Sequence, residues 1–347
     1  MTSRPPPSEL LNWALTVLAP VASGPPPELT VVAGDASNRR YFRAEIGGVS
    51  RILVDAPPTT EKNEAFLAIR DLLAGANVRV PAVEAADLGR GYLILEDLGS
   101  RLLLKELGTD TADDCYRTAM GVLLHMAEVD ANTIHLDSYD EPMLAEELGR
   151  FPAWFAESLL GQTVDDGERI LLQACFDRLI ANALEQPQVL VHRDFHSRNL
   201  MPQADGGLGV IDFQDAVLGP VTYDLASLLR DCYIKWPEQR VQSWALAYRD
   251  RLAAGRLPGG ETDDETFLRW FDLMSLQRHI KVLGTFARLS LRDEKPAYLD
   301  DLPLVIRYVL EIAGKYAESE PYIAAFLRWF ESKLSPVIAR QNWSGSR

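Results

Sequence analysis

The polar run His192-Arg193-Asp194-Phe195-His196-Ser197-Arg198-Asn199 constrains this chain more than any other segment. Apolar extended pieces flank it: Val189–Val191 before, Leu200–Met201 and Gly209–Ile211 after. Gly206-Gly207 can close the last two into a short hairpin, because glycine tolerates the backbone angles of a tight turn. The sequence on either side has helical spacing. The fold must therefore carry a strand-and-loop insert inside a mostly helical region.

That insert concentrates oxygen ligands. Asp194 and Asn199 are five residues apart, and Asp212 follows thirteen residues after Asn199. One carboxylate able to accept a hydroxyl proton, with two separated oxygen ligands for a divalent cation, is the minimum protein chemistry for positioning a phosphoryl transfer. Asp194 is the candidate catalytic base, since an ordinary Asp, with a pKa of about 3.9, is ionised at neutral pH. Asn199 and Asp212 are the candidate Mg²⁺ ligands, holding the metal against the phosphates of ATP. A lone Asp or Asn more often caps a turn or helix, but capping does not explain the whole His-x-Asp-x4-Asn and Ile211-Asp212-Phe213 pattern. His192 and His196 suit loop support better than direct chemistry. They raise a metal-dependent phosphate hydrolase as a competing reading, although no His-Glu-x-x-His motif or third strong ligand is evident. A kinase of another small alcohol and a non-catalytic nucleotide-binding regulator also fit the pattern.

Periodicity divides the chain into two lobes. After a helix near Leu10–Leu18 come short strand candidates at Leu29–Val32, Tyr41–Ile46 and Arg51–Val54, a helix at Glu64–Leu73, and strands at Val83–Ala86 and Tyr92–Leu95. Gly47-Gly48 can join two of the strands as a hairpin. Beyond Glu96-Asp97-Leu98-Gly99 the spacing predicts helices over about 112–129, 142–160, 168–184, 222–235, 239–253, 264–292, 299–316 and 322–334. Leu218–Asp224 reads as a turn into one of them. The class is α+β, with a small mixed β lobe holding one main helix over residues 1–96 and a larger, mostly helical lobe over 97–347.

Composition narrows the partners. A formal charge of −15 on 347 residues opposes a nucleic-acid backbone, and no Lys/Arg block offsets it. Cys115, Cys175 and Cys232 are isolated and lack a metal-ligand or disulfide rhythm. No signal segment or membrane-spanning run is visible, so a cytoplasmic location is expected. Nothing calls for a protein partner, and a monomer suffices.

Val191–Leu200 and Val210-Ile211-Asp212-Phe213 resemble the aminoglycoside phosphotransferase-like kinase superfamily. The resemblance implies a bilobal protein-kinase-like fold, with Asp194 as catalytic aspartate and Asn199 and Asp212 as metal ligands. A closer resemblance, to bacterial anomeric N-acetylmuramate/N-acetylglucosamine kinases, extends over Gly34–Arg43, Asp55-Ala56-Pro57-Pro58, Leu95–Gly99 and Gln277–Gly284. It implies ATP-dependent transfer to the anomeric hydroxyl of an amino sugar during cell-wall recycling. Residues 1–96 then form the nucleotide-binding lobe, and 97–347 the catalytic and sugar-binding lobe.

Within that frame, a turn over Gly34–Asn38 is expected to meet phosphate through Ser37, Asn38 and backbone N–H groups. Backbone groups at Glu96 and Leu98 are expected at the adenine edge. Related kinases grip ATP with a strand lysine, but Arg51-Ile52-Leu53-Val54-Asp55 contains none. Arg40 or Arg43 is the expected substitute, with Glu64 as its helical partner. On the sugar side, Asp215 is a candidate for a hydroxyl, and Arg278, Lys281 or Arg288 for the carboxylate of N-acetylmuramate.

Overall fold

The computed structural model describes residues 6–18, 27–34, 38–130 and 136–345. Its internal contacts divide the chain into two compact units, Met1–Leu102 with Asn199–Gln214, and Leu103–Arg198 with Asp215–Arg347. The division thus falls after Leu102 rather than after Glu96, and the insert beginning at Asn199 packs with the strand-rich unit.

The first unit begins with helix α1 (Ser8–Val17) and strands β1 (Thr30–Gly34), β2 (Arg40–Ile46) and β3 (Val49–Asp55). Gly47 and Gly48, with φ of 63° and 75°, make the tight β2–β3 turn that side chains other than glycine rarely adopt. Helix α2 (Asn63–Gly75) then leads to β4 (Val83–Asp87) and β5 (Tyr92–Glu96). Among the described residues these strands form one sheet in the order β1-β2-β3-β5-β4. Every ladder is antiparallel, so the sheet is not mixed. β3 and β4 run the same way through α2, but β5 folds back between them and removes the parallel pairing.

Alternation places Phe42, Ala44 and Ile46 on one face, in register with Leu53 and Ile94. Leu10 and Ala14 of α1 close that core, and Trp13 lies 5.8 Å from Tyr92. A helix that buries only one stripe needs such a sheet face to be stable.

The second unit contains α3 (Ala112–Ala127), α4 (Glu141–Arg150), α5 (Asp166–Leu184) and strand β6 (Gln188–Val191). The helix expected over 142–160 is α4 followed by a π-helical stretch, Phe151–Leu159, containing Pro152, which has no N–H to give the regular ladder. The chain then supplies β7 (Leu200–Pro202) and β8 (Leu208–Val210) to the first unit. There Val210 N donates to Arg79 O at 2.8 Å, and Gln203 Nε2 to Leu98 O at 3.3 Å.

Strand β9 (Val217–Pro220) pairs antiparallel with β6, so the expected turn into a helix is confined to Val221-Thr222. Helix α6 (Tyr223–Leu229) stops well before residue 235, because Arg230 leaves helical geometry and the Asp231 carboxylate takes the Tyr233 N–H at 3.2 Å. Helices α7 (Glu238–Gly255), α8 (Asp264–Leu291), α9 (Leu302–Tyr316), α10 (Pro321–Trp329) and α11 (Ser335–Ile338) complete the unit. α8 is buried along most of its length, and α4, α5, α6, α9 and the π-helical stretch pack on it. At Gly284 a Cβ would meet the Arg150 carbonyl carbon at 2.4 Å, so only glycine allows that crossing. Among the described residues no helix is long and apolar enough to cross a membrane.

Candidate active-site residues

In the helical unit the loop after β6 is held by two buried carboxylates from further along the chain. Asp224 Oδ2 accepts the His192 N–H at 2.6 Å, and Oδ1 accepts that of Arg193 at 3.0 Å. Asp231 Oδ2 accepts the Ser197 N–H at 2.9 Å and its hydroxyl at 2.5 Å. His192 Nδ1 accepts the Asp194 N–H at 3.2 Å, and the His196 N–H donates to Asp194 O at 3.0 Å. His192 therefore supports the loop through its ring, whereas His196 contributes its backbone N–H and packs its ring against Tyr233 at 5.5 Å. Arg193 sits at φ 75°, a strained angle for a residue with a side chain, and such strain persists only where neighbours fix the backbone.

Asp194 is part-buried, and burial alone would raise its carboxyl. The charges of Lys281, His196, His192 and Arg278 outweigh that and hold it below the usual carboxylate range. It is ionised at neutral pH, as a proton acceptor must be. Asp224 goes the other way: burial outweighs the two N–H donors, and its carboxyl is pushed up to about 7.

A buried charge cluster lies beneath this loop. Glu147 on α4 is 0% exposed and pairs with Arg193, and with Lys281 Nζ at 3.1 Å. The Tyr139 hydroxyl donates to the same carboxylate, and Lys281 Nζ donates to the Tyr223 hydroxyl at 3.0 Å. Burial opposes the charge on Glu147, but Lys281 and Arg193 keep its carboxyl lowered. Lys281 is thus an ion-paired group whose charge also acts on Asp194. Arg278 is buried on the same helix and also acts on Asp194. Arg288 does not join them. It lies ten residues along α8, about 15 Å at the helical rise, with Arg150, Arg292, Asp293 and Glu146 as its charged neighbours. Asp215 is exposed, and its backbone oxygen accepts from Arg193 Nη1 at 3.5 Å.

In the strand-rich unit, Asn199 and Asp212 come together. Asn199 Nδ2 lies 3.4 Å from Asp212 Oδ2, and Gln214 Nε2 donates to Asp212 Oδ1 at 2.8 Å. The Asn199 carbonyl accepts the Ile211 N–H at 3.1 Å, which brings the two ligand positions side by side. Asp212 has φ 66°, a second strained backbone at a candidate site residue. The donor set is a carboxylate and a carboxamide oxygen, both hard. It fits Mg²⁺, which takes few protein ligands and completes its shell with water and phosphate. Among the described residues no group of three or more His, Cys, Asp or Glu is assembled that could hold a metal ion.

The expected phosphate-side residues are arranged differently. Arg40 is bonded to Asp55 at 2.9 Å, and Arg43 to Asp97 at 2.6 and 2.8 Å. Glu64 is exposed and pairs with neither. The deeply buried guanidinium is that of Arg39, 4.7 Å above the Phe66 ring, bonded to Asn63 Oδ1 at 3.3 Å and 3.5 Å from Glu61 Oε2. Glu61 Oε1 also accepts the Asn38 N–H at 3.0 Å. Ser37 lies outside the described residues. The Glu96 N–H donates to Ala82 O at 2.8 Å, and the Leu98 carbonyl accepts from Gln203.

Glu147, Asp231 and Arg39 escape a sequence-based assignment. Glu147 does leave a signal: it falls between Leu144, Leu148 and Phe151 on the apolar face of α4, where a charge must find partners.

A family model described as "Phosphotransferase enzyme family" matches residues 28–264. The chain is 43% identical over 294 residues to the N-acetylmuramate/N-acetylglucosamine kinase of Pseudomonas putida, covering 85% of this chain and 86% of that protein. It is 38% identical over 325 residues to the Neisseria meningitidis protein of the same name, covering 91% and 93% respectively. The solved structure of Plasmodium vivax ethanolamine kinase matches with a TM-score of 0.61 at 13% identity, covering 94% of this chain and 86% of that one. At that identity the likeness is one of fold, protein-kinase-like with a small sheet unit and a larger helical one.

Proposed function

Because this chain belongs to the phosphotransferase enzyme family, we propose that it is an ATP-dependent kinase of amino sugars, converting N-acetylmuramate and N-acetylglucosamine to their 1-phosphates. The identity of 43% over 85% of the chain to a kinase named for both sugars carries the choice of substrate. The reaction belongs to cytoplasmic reuse of cell-wall sugars.

The residue roles follow from the chemistry of the transfer. Asp194, ionised, orients the anomeric hydroxyl and takes its proton as the sugar oxygen bonds to the γ-phosphorus. The bond from that phosphorus to the bridging oxygen breaks, and ADP leaves with the electron pair. Asn199 and Asp212 would hold Mg²⁺, which when bound neutralises charge on the phosphate oxygens. Asp224 and Asp231 fix the backbone that presents Asp194. Arg39, oriented by Glu61, takes the phosphate-side role that a strand lysine fills in related kinases, since a guanidinium can give two donors to one phosphate.

The test is a mass-resolved phosphorylation screen with ATP, Mg²⁺, the two sugars and a set of unrelated alcohols. The expected result is a sugar 1-phosphate with stoichiometric ADP, abolished in Asp212→Ala. Phosphate release without an acceptor, or preference for an unrelated alcohol, would overturn the assignment.

A further inference from the structure

The helical unit places a carboxylate against its buried and part-buried cations near the loop. Arg193 and Lys281 share the carboxylate of Glu147. Arg230 is held by Asp272 at 2.6 Å and by Glu238 at 2.9 Å. Arg278, only 3% exposed, departs from that pattern. Its hydrogen bond goes to Cys232 Sγ at 3.8 Å, and among the described residues no ion pair reaches it. Burial pushes the Cys232 thiol up to about 11, so the sulfur is neutral and supplies no countercharge. Asp194 and Asp231 act on Arg278 only through space, neither within ion-pair distance, and the Asp231 oxygens are taken by Ser197 and Tyr233. A guanidinium removed from water with no carboxylate in direct contact is only partly compensated by charges acting through space, and an anion from outside the chain would complete the pairing.

The position of Arg278 says which anion. It stands one turn from Lys281, on the same side of α8. Both charges act on Asp194, the group assigned to the acceptor hydroxyl. A ligand group beside Arg278 therefore belongs to the acceptor. Lys281 is already paired with Glu147, and Arg288 lies elsewhere on the helix. We infer that Arg278 receives the carboxylate of N-acetylmuramate, and so sets the preference of this enzyme between the acidic sugar and neutral N-acetylglucosamine. The inference rests on the substrates proposed above.

The experiment compares kcat/KM for the two sugars in the wild type, Arg278→Met and Arg278→Lys. Arg278→Met is expected to lower the ratio of N-acetylmuramate to N-acetylglucosamine about 100-fold, as for truncating one partner of a buried charge pair. Arg278→Lys is expected to recover part of it. In the unaltered enzyme, the carboxamide of N-acetylmuramate should be used far less well than the acid, which needs no variant to fold. Equal loss for both sugars would assign Arg278 to the phosphate or to the fold, and overturn the proposal. So would equal use of acid and amide. A wild type that phosphorylates neither sugar, but does phosphorylate another alcohol, would instead overturn the substrate assignment on which this one rests.

Discussion

The two units treat charge in opposite ways. In the strand-rich unit, arginines bond to carboxylates at the margins of the sheet: Arg40 to Asp55, Arg43 to Asp97, Arg51 to Glu84 and Arg79 to Glu96. Each pair keeps at least one partner partly in water, from Arg40 at 22% to Arg79 at 47% exposed, although Asp55 itself is buried. In the helical unit the corresponding acids, Glu147, Asp224, Asp231 and Asp272, are buried. Solvent can replace a lost partner in the first arrangement and cannot in the second. Charge near water fine-tunes a fold, whereas charge away from water dictates where a loop must lie.

Four substitutions sharpen that contrast. Asp194→Ala should leave the fold intact and lower kcat about 10²- to 10⁴-fold, the span usual for a lost general base; a near-normal rate in steady-state assays would remove Asp194 from the chemistry. Glu147→Gln strands Arg193 and Lys281 without their shared countercharge. It should cost about 3–5 kcal/mol of stability in denaturant titrations, as for a broken buried pair. A loss no larger than that of a surface pair would break the contrast.

Asp224→Asn tests the contrast through pH. The Asp224 carboxyl is pushed up to about 7, above its value in the unfolded chain, so the folded state binds its proton more tightly. The resulting stabilisation is full below about pH 4 and is lost as pH rises through 7. The difference in stability between wild type and Asp224→Asn should therefore fall with pH across that window, by about 1.4 kcal/mol per unit, and level off above it. A flat difference would show that the His192 and Arg193 N–H groups keep the acid ionised throughout. Arg79→Gln should have the smallest effect, under about 1 kcal/mol, diminishing further in high salt.

The sequence makes some of this legible and hides the rest for a physical reason. Asp194, Asn199 and Asp212 stand out because their spacing is local and the flanking apolar pieces announce strands. The long α8 and the β2–β3 hairpin are visible from periodicity and from Gly47-Gly48. β9 is not, because Val217–Pro220 ends in Gly-Pro, which reads as a turn until β6 is there to pair with it. Helical spacing over-extends α6, because it does not show that the Asp231 carboxylate holds Ser197 and Tyr233 instead of facing water. Proximity along the chain groups Arg40, Arg43 and Glu64, while the sheet register sets Arg40 opposite Asp55, and Arg43 reaches Asp97 just past the end of β5.

Gly284 has a consequence beyond its own crossing. It lies one turn past Lys281 on α8, and the Arg150 backbone it meets lies one turn past Glu147 on α4. The closeness of the two helices at that point fixes how far a lysine must stretch to its glutamate. A single added methyl group would wedge the helices apart, lengthen that reach, and so detune a carboxylate that it never touches.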